Sequence, residues 1–128
     1  MRRRLHGEEG DAVTETVILV PVLLLLIMTV VQFGLWYHAK QVATAAVTRA
    51  VDVARLPGAT PDAGEREAAD VLAGAGTLSD PVVHVERSAE AATAEVHGQA
   101  PRLVPGFTWQ VGARATAPVE RFVPPGTP

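Results

Sequence analysis

Few side chains in this 128-residue chain are placed to do chemistry. Its histidines, His6, His38, His84 and His97, are dispersed, whereas a zinc centre needs three or four converging ligands. With no cysteine, thiolate ligands and disulfides are excluded. Ser79 and Ser88 lie in no nucleophile motif with a recognisable His/Asp partner, and neither a phosphate-binding loop nor a dinucleotide fingerprint occurs. Catalysis, a metal and a cofactor are therefore not expected. The net charge is −3, and basic residues cluster only at Arg2, Arg3 and Arg4, which gives nucleic-acid binding no support. The unusual group is a carboxylate, Glu15, at the threshold of a long apolar run.

That run, from Thr16 to Tyr37, reads TVILVPVLLLLIMTVVQFGLWY. A helix needs roughly 20 apolar residues to span a bilayer, so the segment is long enough. Arg2, Arg3 and Arg4 precede it, while Lys40, Arg49 and Arg55 come after it at increasing distance. The positive-inside rule keeps the N-terminus in the cytoplasm and exports the chain beyond about His38. Trp36 and Tyr37 close the run, where amphipathic rings suit the outer interface. A cleaved secretory signal is the rival reading. Its apolar region normally has 7–15 residues, however, and the small-residue triplet Ala43-Thr44-Ala45 falls inside continuing helix.

Beyond the run the chain must build a small domain. Residues 38–55 contain neither Pro nor Gly and are rich in alanine. Val42, Ala46, Arg49, Ala50 and Val53, together with Val47, Val51 and Ala54, recur at helical steps. Leu56-Pro57-Gly58 ends this helix. A second is expected from about Glu65 to Ala75, capped by Asp62 and Glu65, with Ala68, Val71, Leu72 and Ala75 on one face and Gly76 as its stop. The period then becomes two. Val85 opposite Ala94 and Val83 opposite Val96 make a hairpin turning at residues 88–91, with His84 across from Glu95 on the wet face. A third strand turns Trp109, Val111, Ala113, Ala115 and Ala117 inward. The expected fold is α+β, a long N-terminal helix and a short second one covering a small antiparallel sheet. The organisation is a leader-like cytoplasmic segment at 1–15, a transmembrane helix at 16–37, an extracytoplasmic domain at 38–121 and a Pro-rich tail at 122–128.

Several of these stretches together resemble a known family. Gly10-Asp11-Ala12-Val13-Thr14-Glu15, the apolar run interrupted by Pro21, and Gln32-Phe33-Gly34 look like the N-terminal signature of TadE-like proteins. These are pilin-like (pseudopilin) components of Tad/Flp pilus assembly. Thr48-Arg49-Ala50 and the later Ala115-Thr116-Ala117-Pro118-Val119-Glu120 stand where such proteins carry similar stretches. Gln32 replaces a charged residue usual before Phe-Gly. The resemblance implies prepilin-peptidase cleavage between Gly10 and Asp11, which makes Glu15 the fifth mature residue. A carboxylate at a helix centre in lipid costs on the order of 2.5–3.5 kcal/mol, and a free α-amine nearby would offset that by pairing with it. The simpler reading makes Glu15 an acidic residue favoured by the helix macrodipole.

The function expected is thus a membrane-anchored minor pilin or pseudopilin. Its partners would be lipid, other pilin-like subunits, pilus-assembly membrane proteins and prepilin peptidase. The alternative is a single-pass anchored binding or sensor module.

Overall fold

The computed structural model describes residues 8–126. Helix α1 (Glu8–Ala54) and helix α2 (Pro61–Ala75) precede strands β1 (Ser79–Arg87), β2 (Ala91–Gln99) and β3 (Gln110–Pro118), confirming the α+β class. The strands form one antiparallel sheet in the order β1-β2-β3. Arg2, Arg3, Arg4 and His6 lie outside the described residues.

Helix α1 has 47 residues and is about 70 Å long at 1.5 Å per residue. Among the described residues it begins eight before Thr16, Glu8 to Glu15 being helical. Its two halves bury very different fractions of their surface. From Val13 to Val31 the large apolar side chains are exposed, Leu25 at 59% for instance. From Ala39 onward one face is closed, with Ala39, Ala43, Ala46, Val47, Ala50, Val51 and Ala54 buried. Those positions recur every three or four residues, the spacing of one helix face. Arg49 faces solvent, and Val42 and Val53 are half-buried, so the packed stripe runs through the alanines and Val47.

Alanine on that face is what lets the other elements come close. The sheet lays Val85, Ala92, Ala94, Val96 and Val111 against it, and α2 adds Ala68 and Leu72. A small core of this kind buries few large side chains, Val47 and Val96 being the largest apolar ones fully enclosed. Its stability therefore rests on close fit more than on bulk.

Helix α2 starts four residues earlier than the sequence suggests. Thr60 is the N-cap, in extended conformation and without a side-chain hydrogen bond, and Pro61 opens the helix with its preset φ. Asp62 lies in the first turn, and Glu65 is occupied elsewhere, so no capping box forms. Gly64 joins Ala68 and Leu72 on the buried face, while Ala75 is exposed because the helix stops there. Gly76 ends it at φ 61°, a left-handed conformation that glycine adopts without penalty, and its N–H donates to Leu72 O at 3.0 Å.

The hairpin register is the expected one: Val83 pairs with Val96, His84 with Glu95 and Val85 with Ala94. Ser88 closes the turn, donating its N–H to Ala91 O at 2.8 Å. On β3, Val111 is buried and Ala113, Ala115 and Ala117 are half-buried, with Gln110, Arg114 and Thr116 outward, as the alternation requires.

Candidate functional site

The candidate site residues belong to α1, and one helix positions them all. Gly10 and Asp11 sit in its first turns, exposed, and no atom lies within 4 Å of a Cβ built on Gly10. Glu15 is exposed and lies seven residues inside α1.

The shaft above Glu15 is prepared for an apolar environment. Thr14, Thr16 and Thr29 fold their hydroxyls back onto Gly10 O, Ala12 O and Leu25 O at 2.8–2.9 Å, leaving no free hydroxyl donor on those residues. Pro21 lies inside the helix and withholds the N–H that Val17 O would otherwise accept. Beside it Ala12, Val13, Thr16, Val17, Val20 and Pro21 line a shallow apolar groove. At 3.6 residues per turn, Glu15 falls about 150° round the helix from the middle of that groove. The carboxylate and the groove thus address different neighbours.

The upper end of the shaft is where the domain begins, and Gln32 marks it. Its side chain is fully buried. The Nε2 group donates to Pro101 O at 2.8 Å, and Oε1 accepts the N–H of Leu103 at 2.7 Å and that of Val104 at 3.4 Å. A buried amide left unpaired costs about 1–3 kcal/mol, and here both ends of the amide are paired. One turn on, Trp36 Nε1 donates to Gln110 O at 3.0 Å, and Lys40 Nζ donates to Gly112 O. Both carbonyls lie on β3, whose other edge is taken by β2, so α1 covers part of the free edge. Phe33 packs tilted against Trp36 with ring centroids 5.6 Å apart, yet Phe33 and Tyr37 remain exposed. A Cβ on Gly34 would meet nothing.

The other sheet edge is managed from α2. Glu65 Oε1 accepts the N–H of Val85 at 3.1 Å, and Pro81 removes a donor nearby. Helix α1 has no basic residue in its last turn; Arg87 of β1 supplies the cation instead, donating to Ala54 O and to Leu56 O, the latter at 2.7 Å. The polar face of the sheet carries surface pairs: Arg114 with Glu95 at 2.8 Å and His84 with Glu86 at 3.1 Å. Among the described residues no cluster of three His, Cys, Asp or Glu side chains is placed to hold a metal ion.

Sequence reasoning missed the long-range roles of Gln32, Glu65 and Arg87. A lone amide in an apolar run was the one available signal for the first. The groups brought together are Gln32, Trp36 and Lys40 with the loop and edge strand; Gly10, Asp11, Glu15 and Pro21 stay apart from the domain on the bare shaft.

Among the described residues α1 is the one helix long and apolar enough to cross a membrane, and almost none of its most apolar stretch is covered by the rest of the chain. No curated protein and no solved structure matches the chain. The family model described as TadE-like protein does match, over residues 10–52, all of them within α1. Residues 10–52 are thus similar to TadE-like proteins, as the signature around Glu15 and Gln32-Phe33-Gly34 implied, and that similarity suggests a Tad-pilus-associated component.

Proposed function

We propose that the chain is a minor pilin or pseudopilin, a membrane-anchored structural component of a Tad/Flp-type pilus assembly or secretion system. In this reading the N-terminus with Arg2, Arg3 and Arg4 faces the cytoplasm, α1 crosses the inner membrane once, and the α+β domain stands outside. The observation that carries it is the continuity of α1, whose exposed apolar half runs without a break into the half that forms the domain core. A tethered binding module gains from a flexible joint between anchor and head. A subunit that must hold its head in fixed register with neighbouring shafts gains from having none.

The carboxylate has a place in this reading. Glu15 stands on the side of the shaft away from the Pro21 groove, free to pair with an α-amine on a neighbouring subunit. Cleavage by prepilin peptidase after Gly10 would create such an amine at Asp11. Other shafts would bundle along the groove, where close approach offers partners for the Val17 carbonyl. No catalysis is involved, and the partners are pilin-like subunits and polytopic assembly proteins.

The test is extraction followed by terminal sequencing. The native protein should resist carbonate washing of membranes, begin at Asp11, and co-purify in mild detergent with other pilus-assembly proteins. Release by carbonate would remove the anchor; an intact Met1 with no co-purifying subunits would favour the anchored module instead.

A further inference from the structure

The loop between β2 and β3, residues 100–109, reaches down to the bare shaft and is unlike the rest of the domain surface. Its backbone is hooked onto Gln32, through Pro101 O at 2.8 Å and the Leu103 N–H at 2.7 Å. Gln32 is where burial along α1 begins. The exposed stretch from Val13 to Val31 is about 28 Å long at 1.5 Å per residue. A bilayer core is about 30 Å thick, so hydrocarbon that covers this stretch ends at the level of the loop.

The loop's composition suits that level. It reads APRLVPGFTW, with one charge, Arg102, and no acid. Leu103 is 44% exposed and Phe107 65% exposed. Both are large apolar side chains, Phe107 mostly and Leu103 nearly half uncovered by the domain. On the helix at the same height, Phe33 and Tyr37 are also exposed, in the position of an interfacial aromatic belt. By contrast, the opposite end of the domain, where Arg87 meets the end of α1 and Ser88 turns the hairpin, carries Glu90, Glu120 and Arg55.

We propose that loop 100–109 is a lipid-contacting wedge: Leu103 and Phe107 enter the boundary between headgroups and acyl chains of the leaflet on the domain's side, and Arg102 meets lipid phosphate. The occupant of this apolar patch is the bilayer, because the patch is continuous with the shaft surface that the bilayer covers. The inference rests on the membrane-anchored reading above. Its consequence is a second point of attachment. A single helix leaves the whole molecule free to spin about the shaft axis and to tilt; a wedge beside the shaft limits both.

The chain lacks cysteine, so single cysteines can be introduced and labelled with an environment-sensitive fluorophore. Leu24→Cys, Leu103→Cys, Phe107→Cys, Thr108→Cys and Glu90→Cys are reconstituted in phosphatidylcholine/phosphatidylglycerol vesicles carrying nitroxide lipids, spin-labelled either at the headgroup or deep in the chain. The probe at Leu24 should be quenched by the deep nitroxide. Those at Leu103, Phe107 and Thr108 should emit to the blue, lose fluorescence to the shallow nitroxide and resist aqueous iodide, while the probe at Glu90 shows the reverse. Quenching at Leu24 with iodide-accessible, lipid-silent probes in the loop would overturn the wedge and leave the anchor standing. A lipid-silent Leu24 would remove the anchor and the wedge together. Thr108→Cys reports on the same loop if replacement of either apolar residue prevents folding.

Discussion

The side-chain oxygen of Gln32 accepts the backbone N–H of Leu103 at 2.7 Å, tying the top of the apolar shaft to a loop 71 residues further along the chain. The same oxygen also accepts the Val104 N–H at 3.4 Å. The amide lies in an apolar run where water is scarce, and the loop has no regular secondary structure to hold it.

Replacement of Gln32 by leucine should therefore detach the loop although it makes the shaft more apolar. The substitution strands Pro101 O and the Leu103 N–H, and an unpaired group costs about 1–3 kcal/mol where buried, less where water reaches it. Thermal unfolding in detergent micelles should show the loss, and amide exchange at 102–104 should accelerate before that of β2. Unchanged exchange there would mean that the loop is held by its own packing.

Gly64→Ala tests the fit of α2 on α1. A Cβ at Gly64 would lie 2.8 Å from Ala50 O, 3.3 Å from the Ala54 Cβ and 3.4 Å from Val85 Cγ1. The first of these is helix backbone and cannot turn aside. Alanine is normally the better helix former by about 1 kcal/mol, but overpacking costs typically about 1–3 kcal/mol. The expected sign is destabilising, read from the denaturation midpoint. A more stable variant would show that α2 can lift away at little cost.

Arg87→Ala should fray the end of α1. Its guanidinium is the cation that meets the carbonyls of Ala54 and Leu56, and hydrogen bonds to a charged group contribute about 1.5–3 kcal/mol each, less where water reaches them. A loss of about 1–2 kcal/mol is expected, with faster exchange of the Arg55 and Leu56 amides. Arg87→Lys should recover part of it, since one nitrogen, Nη1, serves both carbonyls and an ammonium keeps the charge and the donors on a shorter stem.

Glu15→Gln should leave membrane insertion and the fold of the domain untouched, because the side chain is exposed and contacts neither. What it should weaken is recovery of pilin-like partners after gentle solubilisation. Equal recovery from wild type and variant would strip Glu15 of its pairing role.

The parts of this molecule legible in the sequence are those with a period. Eighteen or more apolar residues announce a span, alternation of Val83, Val85, Val96 and Ala94 sets the hairpin register, and Gly76 stops α2 where a left-handed residue is needed. The hidden parts depend on groups far apart in the chain. Glu65 looks like half of a capping box until β1 places the Val85 N–H beside it. Pro61 took the start of α2 from Asp62 because a preset φ nucleates the first turn without any side-chain bond. Gln32 looks like a lapse in an apolar run until the loop arrives to satisfy it. Of the site, Glu15 and the Gln32-Phe33-Gly34 segment were visible as a pattern, whereas the attachment of the domain at Gln32 was not.

A rod with no hinge makes the head a pointer for whatever happens at its foot. One helical turn of axial slippage by α1 would carry the three strands about 5.4 Å outward, and a twist of the foot would swing them through a similar angle. Machinery that pushes or rotates such subunits from below would thereby steer the folded end without touching it.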